Sequence, residues 1–96
     1  MVTEIAFLHI KPGTNDAFEN AFTQAQSILA GMDGYIHHEL QQCLEEEHKY
    51  LLLVQWQTLE DHTEGFRNHE AYKQWQELLH HFYDPFPVVE HYKKIY

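Results

Sequence analysis

The 96 residues, 44% hydrophobic and 15% aromatic, are enough for one globular domain, though one so small buries only about 60 to 70% of its unfolded surface and gains from association. Fifteen acidic residues against 6 basic ones, for a formal net charge of -9, argue against nucleic-acid partners and anionic lipid. The lack of any apolar run near the roughly 20 residues of a membrane span, of a basic-then-apolar leader, and of a second cysteine beside Cys43 points to a soluble cytoplasmic protein in a reducing compartment.

Thr3 to Ile10 reads as a strand apolar on both sides, with Ile5 and Phe7 on one face and Ala6, Leu8 and Ile10 on the other. Lys11-Pro12-Gly13 turns the chain. Phe18, Ala21, Phe22, Ala25, Ile28 and Leu29 then recur at helical spacing. Thr14, Asn15 or Asp16 could cap this helix, Asp16 with Glu19 as a capping box, and Gly31 suits a left-handed stop. Tyr35 to Cys43 reads as a second strand, with Ile36 and Leu40 alternating with polar residues, and Leu44 to Glu47 as a charged connector. Lys49 to Trp56 is the third strand; Leu51 and Leu53 face one way, and Tyr50, Leu52, Val54 and Trp56 the other. The second and third strands are expected to form an antiparallel hairpin.

Thr58-Leu59-Glu60-Asp61 signals a helix start. Leu59, His62, Phe66 and His69 share one helical face, Asn68-His69 marks a break, and Tyr72, Trp75, Leu78, Leu79 and Phe82 share the face of a second helix. Asp84-Pro85-Phe86-Pro87 forbids continuation, and Val88 to Ile95 supplies a last strand. The order predicts a single α+β domain over residues 1–96, the ferredoxin-like βαββαβ arrangement with helices on one face of an antiparallel sheet. One helical layer covers only one apolar face of the third strand. A second copy packed sheet against sheet would cover the other, predicting a homodimer.

The adjacent pairs His37-His38 and His80-His81 diverge in direction, and no His-Glu-x-x-His or His/Cys quartet occurs, so no metal site is expected. His62 lies in an inward-facing stripe. It is either a neutral imidazole able to take a proton in a cavity or a core histidine held by one backbone bond. Trp56, Phe66, Tyr72, Trp75 and Phe82 either line an aromatic pocket or simply fill the core. No Gly-rich phosphate loop supports a nucleotide or flavin cofactor. The lone Ser27 lacks a nucleophile elbow and Cys43 lacks a base.

The segment Val54 to Asn68, with Tyr72, Trp75 and the closing Pro87-Val88-Val89-Glu90-His91-Tyr92, resembles the antibiotic biosynthesis monooxygenase (ABM) domain family over nearly the whole chain. The resemblance implies a dimeric α+β barrel. It also implies a cofactor-independent monooxygenase that oxidises a phenol- or quinol-type aromatic with molecular oxygen. The haem-degrading branch uses an asparagine, a tryptophan and a histidine where this chain has Ala6, Gly65 and either Trp75 or Gln76, so haem degradation is not expected. By the oxygenase resemblance His62, Asn68 and Tyr72 are catalytic candidates, with Trp56, Phe66, His69 and Trp75 as substrate-binding candidates. His62 would deprotonate a phenolic hydroxyl, and Asn68 or Tyr72 would hold the oxyanion. The alternative is a non-catalytic, ligand-binding or protective homodimer of the same fold.

Overall fold

The computed structural model describes all 96 residues, Met1–Tyr96. Four antiparallel strands, β1 (Val2–His9), β2 (Tyr35–Gln42), β3 (Lys49–Trp56) and β4 (Val89–Tyr92), form one sheet in the order β2-β3-β1-β4. Helices α1 (Asn15–Ala30) and α2 (Ala71–Leu79) cover one face of it. The arrangement is the α+β, ferredoxin-like one that the order of apolar patterns predicts. No helix is long and apolar enough to cross a membrane.

The core follows from strand alternation. Along β3, Tyr50, Leu52, Val54 and Trp56 are buried under the helices, while Leu51, Leu53 and Gln55 are half-buried on the reverse face. On β1, Glu4, Ala6 and Leu8 face the helices, and Ile5 and Phe7 sit opposite, paired across the ladder with Leu53 and Leu51. Helix α1 adds Phe18, Phe22, Ala25 and Leu29 to the core; α2 adds Trp75 and Leu79. The reverse face therefore carries an apolar row, with Phe7 47% exposed.

Four local expectations are corrected by the structure. Gly31 ends α1 with right-handed geometry at φ -86, and the positive φ falls on Gly34 at +81. There an added Cβ would meet the Asp61 carboxylate, so glycine suits both the conformation and the close approach. Glu19 forms no capping box: α1 starts after Thr14 without a side-chain cap bond, and the Glu19 carboxylate accepts from the Tyr50 hydroxyl at 2.6 Å. A register shift between Tyr35 and His37 leaves Ile36 exposed while Leu40 packs against the core, which breaks the expected alternation of β2. The last strand spans Val89–Tyr92 only, pairing with β1 from Thr3 to Ala6.

The segment after β3 begins with reciprocal bonds at the predicted helix start. The Thr58 amide donates to Asp61 Oδ2 at 3.0 Å, and the Asp61 amide donates to Thr58 Oγ1 at 3.2 Å. It then winds as a π-helical turn, Asp61–Phe66, which buries His62 and Phe66. Such turns widen the helical repeat by one residue and concentrate at functional sites.

Candidate functional site

Between the sheet, the π-helical turn, α2 and the segment from Tyr83 to Val89 lies a cavity of about 170 Å³. Its walls are mostly apolar, from Ala6, Leu52 and Val54 below and Phe66 and Trp75 above. Its polar lining consists of Glu4, His62, Arg67, Tyr72, His80 and Tyr83. An apolar pocket with a few convergent polar groups is the usual form of a small-molecule site.

Glu4 and His62 are the two buried polar residues of the chain, at 6% and 3% exposure. Glu4 comes from β1, where alternation turns it inward beside Ala6. Its Oε1 accepts the indole N–H of Trp56 at 3.0 Å and lies 3.4 Å from His62 Nε2. The other imidazole nitrogen of His62, Nδ1, is 2.8 Å from Nε2 of His91. His91 stands directly across the ladder from Glu4, so both side chains leave the sheet on the helix side. Trp56 is wholly buried and stacks on His62, with ring centroids 5.6 Å apart and planes 22° from parallel.

Burial determines the protonation of this cluster. It pushes the Glu4 carboxyl from 4.5 up to about 7, against the lowering effects of the Trp56 hydrogen bond and the Arg67 guanidinium. It drives His62 down to about 3, helped by the positive fields of Arg67 and His91. His91 and His80 are lowered by burial, and Tyr72 and Tyr83 are raised by it. At neutral pH the imidazoles and phenols lining the cavity are thus uncharged, while Glu4 sits close to its midpoint. Arg67 supplies the standing positive charge, and no carboxylate forms an ion pair with it. The chamber is chemically suited to an anion formed inside it beside a group that can exchange a proton near pH 7.

Of the residues singled out in the sequence, His62, Phe66, Tyr72 and Trp75 line the cavity. Trp56 lies behind His62 and orients Glu4 through its N–H. Asn68 and His69, which follow the π-helical turn, are exposed and lie off the cavity wall. His69 Nδ1 instead accepts the amide N–H of Ala71 at 3.0 Å, at the start of α2. Glu4, His91, Arg67 and Tyr83 escaped the sequence reading. For the first two a signal existed, since Glu4 is in phase with Ala6, Leu8 and Ile10, and His91 is in phase with Val89.

The fold and this buried carboxyl–imidazole site define a small α+β domain with a compact, mostly apolar internal cavity. The antibiotic biosynthesis monooxygenase family model matches residues 1–78, and the chain belongs to that family. It is 60% identical over 95 residues to YczJ of Bacillus subtilis strain 168, an uncharacterised protein, covering 99% of this chain and 100% of that one. A Bordetella bronchiseptica structure described as a candidate antibiotic biosynthesis monooxygenase superposes with a TM-score of 0.94 at 27% identity, covering 99% and 97% of the two chains. SnoaB, a cofactor-independent oxygenase from Streptomyces nogalater, shares the fold, with a TM-score of 0.80, 16% identity and coverage of 97% and 91%.

Proposed function

We propose that the protein is a cofactor-independent monooxygenase acting on a small, electron-rich phenol or hydroquinone. The observation that carries this reading is a buried Glu4–His62 pair set in the wall of an otherwise apolar cavity. An engineered apolar cavity of roughly 150 Å³ accepts benzene, so the volume of about 170 Å³ favours one-ring and compact two-ring compounds.

In this reading Phe66 and Trp75 contact the aromatic ring and the Glu4–His62 pair takes the phenolic proton. The Arg67 guanidinium and the Tyr72 hydroxyl hold the oxyanion that forms. The phenolate then passes an electron to dioxygen. Recombination of the two radicals gives a peroxide anion, which takes up one proton, the equivalent of that lost by the phenol, and loses water to yield the quinone, with one oxygen atom entering the ring and the other leaving in water. The substrate supplies every electron. SnoaB, which is described as cofactor-independent, lends support by fold. Asn68 and His69, both exposed, have no part in this scheme.

The half-covered row Ile5, Phe7, Leu51 and Leu53 on the reverse face further supports a homodimer packed sheet to sheet. The functional test is oxygen uptake with a panel of one- and two-ring phenols and hydroquinones under ¹⁸O₂. A quinone carrying one labelled oxygen, formed faster than in protein-free buffer, is the expected product. Saturable binding of the panel with no uptake above buffer would overturn the reading in favour of a ligand-binding protein.

A further inference from the structure

The cluster extends past the pair that touches the cavity. His62 uses both ring nitrogens, Nε2 toward Glu4 Oε1 at 3.4 Å and Nδ1 toward His91 Nε2 at 2.8 Å. Glu4 Oε1 is already engaged by Trp56, and Oε2 has no partner within the chain although no fully buried polar atom is left unsatisfied. Oε2 is therefore the carboxyl oxygen open to the cavity. At the other end His91 stands on the edge strand β4 and is only half-buried.

We infer that Glu4, His62 and His91 form a proton wire that takes the substrate's proton from the cavity to the edge strand, with His62 as its uncharged middle member. This rests on the deprotonation step proposed above. In the resting state the Glu4 proton is on Oε1, facing His62 Nε2, and the His62 proton is on Nδ1, facing His91 Nε2. A phenol then donates its proton to Oε2, Oε1–H passes to His62 Nε2, and Nδ1–H passes to His91. One proton enters and one leaves at each member. Glu4 ends as a neutral acid protonated on Oε2, His62 ends as the other neutral tautomer, and His91 becomes imidazolium and releases its proton to water. The 3.4 Å step must shorten by a few tenths of an ångström, as catalytic contacts do once substrate is bound.

Burial supports this division of labour, because it disfavours charge on His62 more strongly than on the outer His91. The other titratable groups on the cavity wall are Arg67, Tyr72, His80 and Tyr83. Burial keeps the two tyrosines protonated and His80 neutral. Only Arg67 adds a fixed charge, and it disfavours imidazolium on both His62 and His91. The transferred proton thus tends to leave once it reaches His91.

The test uses 4-nitrophenol, whose phenolate absorbs in the visible, with the full-length protein at about pH 6, below the probe's own pKa. Phenolate absorbance and imidazole ¹⁵N shifts are read together. The wild type should raise the phenolate fraction above buffer, with His62 neutral and carrying its proton on Nε2. His91→Gln, whose amide can still accept from His62 but cannot take up a proton, and His91→Phe should each slow the appearance of phenolate after stopped-flow mixing about tenfold or more, with circular dichroism unchanged. No phenolate on the wild type, an undiminished rate of phenolate formation in His91→Gln, or imidazolium on His62 would each overturn the wire. Oxygen uptake with hydroquinones separates the two readings. Phenolate formed by the wire without uptake overturns only the oxygenase, and uptake unaffected by His91→Gln overturns only the wire.

Discussion

Replacing Glu4 with glutamine should make the protein more stable at alkaline pH while abolishing turnover. The Gln amide oxygen can still accept the Trp56 N–H, now made by Glu4 Oε1 at 3.0 Å, so little packing changes. Between 4.5 and about 7 the folded wild type holds a proton on Glu4 that the unfolded chain has lost. Wild-type stability therefore falls as pH rises through that window. His62 acts oppositely. Between about 3 and 6.5 the unfolded chain binds a proton that the folded imidazole refuses, so stability rises across that interval. The two slopes cancel where they overlap, giving a wild-type profile that climbs up to about pH 4.5, flattens, and declines toward pH 7. Glu4→Gln removes only the falling contribution. At about 1.4 kcal/mol per pH unit, the variant should gain about 2 to 3 kcal/mol relative to wild type between about pH 4.5 and pH 8. Urea unfolding at those two pH values measures it. Parallel profiles for the two proteins would refute the account of Glu4 as an acid that burial keeps near neutrality.

Other consequences can be checked independently. Trp56→Phe keeps the ring against His62 but removes the donor that lowers the Glu4 pKa, so a ¹³C titration of the Glu4 carboxyl should move upward by about half to one pH unit; no movement, or movement downward, would contradict the assigned bond. Gly34→Ala sets a Cβ against the Asp61 carboxylate at φ +81, and thermal or urea unfolding should show a loss of about 2 kcal/mol or more, with a near-neutral result ruling out the close approach. Phe7→Glu or Leu53→Glu on the reverse sheet face should convert a dimer to monomer in sedimentation at micromolar concentration, whereas a wild type that sediments as a stable folded monomer would remove the basis for sheet-to-sheet pairing. Light scattering should rise between about pH 5 and 6, where net repulsion is weakest, near the sequence pI of 5.3; a flat trace would refute that expectation.

How much of this was legible beforehand depended on the range of the interaction. Strand β3 could be read residue by residue, because Tyr50, Leu52, Val54 and Trp56 alternate with Leu51 and Leu53 and the burial follows the same period. The helix start at Thr58 was equally plain, its reciprocal bonds to Asp61 being local. Ile36 departs from the expected alternation because a bulge has no period to betray it. The left-handed turn falls on Gly34, not on the Gly31 that helix ends favour, and its neighbour Asp61 is distant in the chain.

The site was only half visible for the same reason. His62 stood out as a histidine inside an apolar stripe. Its partner His91 is 29 residues away, and Glu4 reaches it through strand pairing. The family resemblance puts Asn68 with the site and an unbroken helical face puts His69 there, whereas both are exposed in the stretch that follows the π-helical turn. An acid or histidine in phase with the buried side of a strand was the overlooked sign. Such a residue cannot be solvated where the pattern puts it, so it must find partners across the fold.

The most direct test of the central claim is oxygen uptake with a one-ring hydroquinone, corrected for spontaneous oxidation, by wild type and Glu4→Gln side by side. The wild type should show saturable uptake and the variant a loss of about 10² to 10⁴-fold in turnover, with binding of the same compound retained. Equal turnover by the two proteins would contradict that claim.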